Sequence, residues 1–461
     1  MDNTPSRSPD FNRRDFLKGG STAALLTMMG GVKLVAQTSD SSSEKKKYTG
    51  PKLKVGVIGL GTRGREIVNT LARNEYAEIA GLCDRYPLSI RRCANSAPGA
   101  AQVEDYRAFL NQPEIPAVVV ATPTHQHKEI VLAAIKAGKH VYCEAPIAHT
   151  VADAREIAVA AKAARELVFH AGLQLRCDPQ RLELIKTFRT GALGDPVMAR
   201  TQWHKKTIWR ASAQKPEREA ELNWRLDKNV SLGVVGEILG HHLDQATWFL
   251  AKHPVAVSGL ATTAFWKDGR EIADTVRVVL EFPDGFSVIS DATLANSYDS
   301  EYEIYYGSES AVLLRQSDVW LFKEVDARLL GWEVYFPKQQ FYKETGIVLK
   351  VGASKSVPTD DSQAQSGQAS DAEPPETPLS SSLNTFVRNA GDLVLAKEQF
   401  ISELGDDDQA ALVDHLATKV PRRPAPGALD GFQAAVTAIT ANQAILTRQR
   451  IVLKPESYQL S

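Results

Sequence analysis

Little cysteine and no excess of charge set the first limits on this chain. Its 461 residues include four cysteines, Cys83, Cys93, Cys143 and Cys177. None forms a close pair of the spacing that holds zinc, so the cysteines do not argue for a metal. Cys83 and Cys143 end apolar, strand-like runs, where buried free thiols are expected. Lysine and arginine total 54 against 55 aspartates and glutamates, so bulk charge points to neither nucleic acid nor an anionic membrane as partner. No internal repeat is present, and no ligand cluster argues for a metal. The most apolar N-terminal stretch, STAALLTMMGGVKLVAQ at 21–37, is broken by Gly30, Gly31 and Lys33, which makes it a poor membrane anchor. What remains is an ordinary globular mix, 43% hydrophobic and 24% charged, long enough for two or three domains.

The N-terminus carries an address. Arg13-Arg14 followed by Phe16-Leu17-Lys18 and the mildly apolar stretch resemble a twin-arginine export signal over residues 1–36, with cleavage after Ala36. Such a protein crosses the membrane folded and works in the periplasm, with no stable membrane insertion after export. Folded export suits a cofactor-carrying protein and removes the need for disulfides. Residues 37–51 are polar and serve as a tether.

From Lys52 onward apolar strands alternate with helices. LKVGVIG, AEIAGLCD, AVVVAT, HVYCE and LVFHAGLQ read as strands, and TRGREIVNTLARN, KEIVLAAIKAG and VADAREIAVAAKAARE as helices. That order means crossover units and a parallel sheet covered on both faces, over 52–176. After about residue 195 the texture changes. PVMARTQWHK, PVAVSGLATTAF, DTVRVVLEF and FSVISDATLA alternate apolar with polar, and Asp284-Gly285 marks a hairpin tip. The expected fold is therefore an α/β Rossmann domain plus an α+β domain, 177–350, with an open, mainly antiparallel sheet and one helix near 232–250. Residues 351–382, rich in Ser, Gln, Asp and Pro, read as a disordered loop. Helices within 383–461, near 383–398 and 427–448, complete the fold.

VIGLGTRG places Gly59, Gly61 and Gly64 in G-x-G-x-x-G spacing after an apolar strand and at the opening of a helix. Asp84 follows twenty residues past Gly64, at the end of the next strand. This is the full context of a dinucleotide fingerprint. Gly59 permits the tight turn, Gly61 lets backbone approach the pyrophosphate, and Gly64 allows close helix–strand packing. Thr62 and Arg63 stand at the helix start, where free N–H groups and the dipole favour phosphate. Asp84 accepts from the ribose hydroxyls of NAD; Arg85 beside it is the feature that would suit the 2′-phosphate of NADP.

With these residues the chain resembles the Gfo/Idh/MocA oxidoreductases, named for glucose–fructose oxidoreductase and inositol dehydrogenase. The resemblance runs from Lys52 to about residue 315. It rests on VGVIGLGTRG, on VVVATPTHQHKEIVLAAIKAGKHVYCEAP, and on GEILGHHLDQATWFL. It implies a nucleotide-binding domain and an open sheet that together enclose a sugar, cyclitol or related substrate. It also implies Thr122, Pro123, His127, Glu144 and Arg176 near the cofactor. The sheet's other face can pair with a second subunit, so a homo-oligomer is expected. Two departures stand out. The family's E-K-P turn is Glu144-Ala145-Pro146 here, without the lysine amine that handles a proton. The aspartate four residues before a histidine is Glu237 before His241.

Hydride loss from a carbinol carbon needs a base for the hydroxyl proton. Ala145 cannot serve. His241 is the expected base, oriented by Glu237 or Asp244, which share its helix face at spacings of four and three. His242 points about 100° away and is read as structural. Tyr142 and His149 are other candidates for the amine's task. Trp224 and Arg225 in NWRLD are read as substrate-pocket residues, since aromatic rings stack on sugar faces. The first functional reading is hydride transfer on a sugar or sugar derivative with NAD. An alternative is a redox-neutral glycosidase that oxidises, eliminates, hydrates and reduces. A reading from another class is a non-catalytic sugar- or nucleotide-binding protein that lost activity with the lysine.

Overall fold

The computed structural model describes residues 48–460 except 214, 316–317, 342–343, 350–375 and 406. The expected export signal, nearly all of the tether, and most of the expected loop at 351–382 lie outside these residues. Gly50–Ser461 form one compact unit.

The first sheet is parallel throughout, in the order β3-β2-β1-β4-β5-β6. Its strands are β1 (Leu53–Ile58), β2 (Ala77–Cys83), β3 (Ala101–Val103), β4 (Ala117–Val120), β5 (His140–Glu144) and β6 (Phe169–Gly172). Between them run α1 (Thr62–Leu71), α2 (Pro87–Ala94), α3 (Arg107–Leu110), α4 (His127–Lys136) and α5 (Val151–Ala163). Strand residues alternate between two apolar cores. Val55, Val57 and Val119 face one; Ile58, Val118 and Val120 face the other. Both faces are dry, which is why these strands are almost uninterrupted apolar runs.

The second sheet has ten strands, in the order β14-β15-β13-β12-β11-β7-β10-β9-β8-β16. It begins after α6 (Pro179–Arg189) with β7 (Pro196–His204), a short α7 (Glu219–Leu222), and α8 (Gly240–Leu250). Then come β8 (Ala256–Thr262), β9 (Thr275–Glu281), β10 (Ser287–Thr293), β11 (Glu301–Gly307), β12 (Ser310–Arg315) and β13 (Asp318–Lys323). β14 (Lys338–Phe341) and β15 (Glu344–Val348) complete one edge. All pairs are antiparallel except β7 with β10. The β9–β10 hairpin turns at Asp284-Gly285, with Gly285 at φ +83°, the left-handed conformation glycine adopts at little cost.

The C-terminal region departs most from expectation. α9 spans Pro378–Leu404, so the last five residues of the stretch read as a disordered loop are helical. Pro378 at the first helical position and the Thr377–Ser380 capping box start it there. α9 lays Leu379, Leu383, Phe386, Val387, Ala390 and Leu393 on the β1 side of the parallel sheet, in one core with Val55, Val57 and Tyr142. Each such side chain, fully buried, stabilises by about 1.5–3 kcal/mol. α10 (Gln409–Thr418), α11 (Ala428–Thr447) and the edge strand β16 (Ile451–Val452) follow. α11 packs on α5 and β8 and so spans both sheets. Among the described residues no helix is long and apolar enough to cross a membrane.

Candidate active site

Where β1 ends, the chain turns through Gly59 at φ +90°. A Cβ on Gly59 would lie 2.7 Å from the Ala121–Thr122 backbone, and one on Gly64 would meet the Gly59 carbonyl oxygen at 1.9 Å. The two glycines therefore fix the close approach of loop, helix and neighbouring strand. A Cβ on Gly61 would meet nothing within 4 Å. Gly61 is the N-cap of α1 with no side-chain cap, so the first N–H groups of Thr62, Arg63 and Gly64 open toward space, as a pyrophosphate site requires. Asp84 sits just past β2 with Oδ2 accepting from Leu60 N at 2.8 Å and Oδ1 from Tyr86 N at 2.9 Å. Burial raises its pKa, against the Leu60 bond and the charges of Arg218 and Arg85. Arg85 is exposed and pairs with Glu221 at 3.3 Å.

A cavity of about 280 Å³ opens beside this loop, where the first sheet's strand ends meet α8 and the second sheet. Arg63, Thr122, Glu144 and Ala145 line it from the first sheet's side; Trp224, Arg225, Glu237 and His241 line it from the other. Seven of these, all but Ala145, are expected site residues, and the expected His127 lines the cavity with them. Glu144 is buried, with Oε2 3.1 Å from Arg63 Nε. Arg63 also donates to Glu66 (2.9 Å) and Gln174 (2.8 Å). Burial raises the Glu144 pKa against the pull of Arg63. The Arg225 guanidinium lies over the Trp224 ring, 4.7 Å from its centroid.

Four polar atoms of lining residues are buried without a hydrogen-bond partner: Thr122 Oγ1, Glu144 Oε1, His241 Nδ1 and His242 Nδ1. Unpaired buried polar atoms are rare, and their convergence on one cavity marks a ligand site. Together with the glycine loop and Asp84, the site fits a nicotinamide dinucleotide.

Several expected roles need correction. Glu237 does not orient His241: its Oε1 accepts from Thr124 Oγ1 at 3.0 Å and its Oε2 from Arg225 Nε at 3.1 Å. The turn over Val235–Leu239 is π-helical, so the one-face spacing of a regular α-helix does not hold there. Asp244 does not orient it either. Asp244 is 2% exposed and accepts two bonds from Arg176, at 2.8 and 2.9 Å. Arg176 in turn donates to Asp430 at 2.6 Å. It is a tie between the end of β6, α8 and α11, and does not line the cavity. His127 presents its two ring nitrogens to the carbonyl oxygens of Pro146 (3.1 Å) and Thr122 (2.9 Å). It lines the cavity, as expected, while its ring is engaged by these two turns. Pro123 precedes the short turn that leads into α4 and gives it its extended entry. Tyr142 is fully buried, its hydroxyl against Ser382.

His241 is held neutral: burial, then the charges of Arg63 and His242, push its pKa down to about 4. A carboxylate does orient a histidine here, but the pair is His242 with Glu301, Nε2 to Oε1 3.1 Å. Both line the cavity, with Trp203, Gln174 and Thr124. Local spacing could not have found this pair, because Glu301 lies 59 residues away on β11. The family helix did contain His242. Among the described residues no His, Cys, Asp and Glu group is placed to hold a metal, and all four cysteines are free and buried.

The comparisons agree with this geometry. Residues 53–171 match the Gfo/Idh/MocA family described as "Oxidoreductase family, NAD-binding Rossmann fold". Residues 182–312 match the GFO/IDH/MocA C-terminal domain. Inositol 2-dehydrogenase of Paracoccus denitrificans is 30% identical over 260 residues, covering 55% of this chain and 71% of the relative. The chain belongs to the Gfo/Idh/MocA family. It is an NAD-binding oxidoreductase of that family. 1,5-Anhydro-D-fructose reductase of Ensifer adhaerens is 28% identical over 263 residues, covering 56% of this chain and 75% of the relative. Among solved structures, an oxidoreductase domain protein from Kribbella flavida superposes with TM-score 0.63 at 21% identity, covering 88% of this chain and 100% of the other. A levoglucosan dehydrogenase in complex with NADH and L-sorbose gives TM-score 0.62 at 19% identity, covering 88% and 100%. At these identities the structural likeness establishes the shared fold.

Proposed function

We propose that this chain moves a hydride between the nicotinamide of NAD and a carbinol carbon of a neutral sugar or cyclitol, with His241 accepting the hydroxyl proton. The observation that carries the reading is the cavity itself: a neutral imidazole with an unpartnered, buried Nδ1 lines the same space as the glycine-loop residue Arg63 and the turn at Glu144. Bound there, the dinucleotide supplies a two-electron acceptor or donor. Thr62, Gly61 and Asp84 hold it, and Arg63 and Glu144 shape its reactive end. His241 keeps a lone pair free at neutral pH, as a base for an alcohol needs. Trp203 and Trp224 offer apolar faces to a sugar ring. Arg63, Arg225 and His242 are paired with Glu144, Glu237 and Glu301, which suits a substrate without charge. Inositol and anhydrofructose enzymes among the relatives act, by name, on such hydroxylated rings.

The redox-neutral glycosidase is the second reading, favoured by three imidazoles lining one cavity, those of His127, His241 and His242, and no amine at Ala145. The Arg13-Arg14 signal supports export to the periplasm by the twin-arginine route, where no free nicotinamide pool recycles the cofactor. An open second sheet supports assembly as a homo-oligomer. The deciding experiment mixes purified protein with NAD and a panel of cyclitols, aldoses and aryl glycosides. Accumulating NADH supports the dehydrogenase. Released aglycone without net NADH supports the glycosidase. Binding of NAD and sugar with neither product would leave a non-catalytic binding protein.

A further inference from the structure

His241 alone leaves a proton stranded. It is a weak base in a half-buried position, so a proton taken from a substrate hydroxyl must pass on before the next turnover. The neighbouring side chain on α8 offers the way out. His242 is 2% exposed and lines the cavity; its Nδ1 has no partner and its Nε2 lies 3.1 Å from Glu301 Oε1. Glu301 also lines the cavity, yet its side chain is 42% exposed. It opens β11 directly opposite Trp203 of β7. One imidazole thus stands between the interior of the pocket and a carboxylate that reaches water.

We propose that His242 and Glu301 form a proton relay joining the pocket to solvent, which returns His241 to its neutral state after each oxidation. This rests on the hydride-transfer reading above. As the carbinol C–H bond breaks, its electron pair leaves as hydride, and the O–H bond gives its proton to His241. That proton crosses the pocket through an intervening water to the unpartnered Nδ1 of His242, the proton on Nε2 moves to the Glu301 carboxylate, and Glu301 releases it to solvent. In the reducing direction each step reverses. No net charge is left in the pocket.

The surrounding charges favour the first transfer, from His241 to His242; the onward step to Glu301 runs against them and is completed by loss to water at the exposed carboxylate. Burial pulls the His242 pKa down, but the Glu301 hydrogen bond and the charges of Glu303 and Glu301 more than offset it and the opposing Arg181, so it stands above its ordinary value. Glu301 is lowered by His242, Arg181 and His241 against its own burial. The pair therefore holds a proton more firmly than His241 does. An imidazole aimed by a carboxylate is also the arrangement that stabilises a transient imidazolium in other enzymes.

The test compares the parent with Glu301→Gln, Glu301→Ala and Glu301→Asp in steady-state oxidation of an accepted polyol. Gln keeps a hydrogen-bond acceptor for His242 but cannot take the proton. Expected are a loss of about 10²-fold in kcat for Glu301→Gln, unchanged NAD affinity, and an enlarged solvent deuterium isotope effect. Asp should recover much of the rate, and added formate should rescue Glu301→Ala. NAD affinity equal to the parent's confirms that the variants are folded. An active parent with an equally fast Glu301→Gln, or a slow variant that neither Asp nor formate restores, overturns the relay alone. A parent that oxidises no polyol overturns the functional reading and the relay with it.

Discussion

The glycine loop after β1 and the wall made by α8 and β11 face one cavity, yet they are built by opposite means. The loop's determinants lie within a few residues, although Gly59 also makes room for the Ala121–Thr122 backbone. Gly59, Gly61 and Gly64 lie in one contiguous run, and the clash that a Cβ on Gly64 would make is with Gly59 itself. The opposite wall draws His242 from α8 and Glu301 from β11, while Arg225 reaches across to Glu237. One half is a local motif that any ligand-binding relative can carry unchanged. The other is assembled by tertiary packing, where chemistry can be reassigned without disturbing the loop. Such a division explains how Ala145 can replace an amine while the nucleotide groove stays intact.

This contrast can be broken by substitution. His241→Ala should lower turnover by about 10²–10⁴-fold with NAD affinity unchanged, measured by steady-state kinetics and a binding titration; equal loss of NAD affinity would place His241 in the cofactor half. Arg176→Ala should cost about 3–5 kcal/mol of stability, because it leaves Asp244 buried without its partner. Denaturant unfolding checks this, and a variant with full stability and weakened NAD binding would return Arg176 to the cofactor site. Gly64→Ala should do the reverse of His241→Ala: NAD binding weakens as the overpacked turn shifts, at about 1–3 kcal/mol, and a titration by isothermal calorimetry reads it.

A gradual effect should come with acid. Burial pushes His127 down to about 4 and His140 and His170 to about 3. Unfolded histidines bind protons near ~6.5, so as pH falls the unfolded chain takes protons first. Stability is then full above ~6.5 and is lost toward the folded values, by about 1.4 kcal/mol per pH unit for each histidine. Urea unfolding between those limits measures the slope. A flat profile would mean that these rings are already charged in the folded chain.

What could be read along the chain follows the same division. The parallel sheet, the glycine turn, Asp84 and the Asp284-Gly285 hairpin announce themselves because their determinants are adjacent in sequence. The cover supplied by α9 does not, since Phe386 and Leu383 join Val55 and Val57 from more than three hundred residues away. The site was half legible. Glu237 and His241 are legible through the resemblance to the family helix, and Trp224 and Arg225 through an aromatic ring of the kind that stacks on sugars. Their hydrogen-bond partners are not, because a π-helical turn alters which side chains face one another and because Arg176 found Asp430 on α11. Gln174, Trp203 and Glu301 carry no motif at all; only the meeting of the two sheets gives them a role.

The most direct test is a crystal structure of the protein with NAD and an unreactive polyol bound. The expected result is a His241 ring nitrogen within about 2.6–3.2 Å of a carbinol oxygen, with that carbon facing the nicotinamide. A nicotinamide ring seated elsewhere, or His241 turned away from the polyol, would contradict hydride transfer at this site.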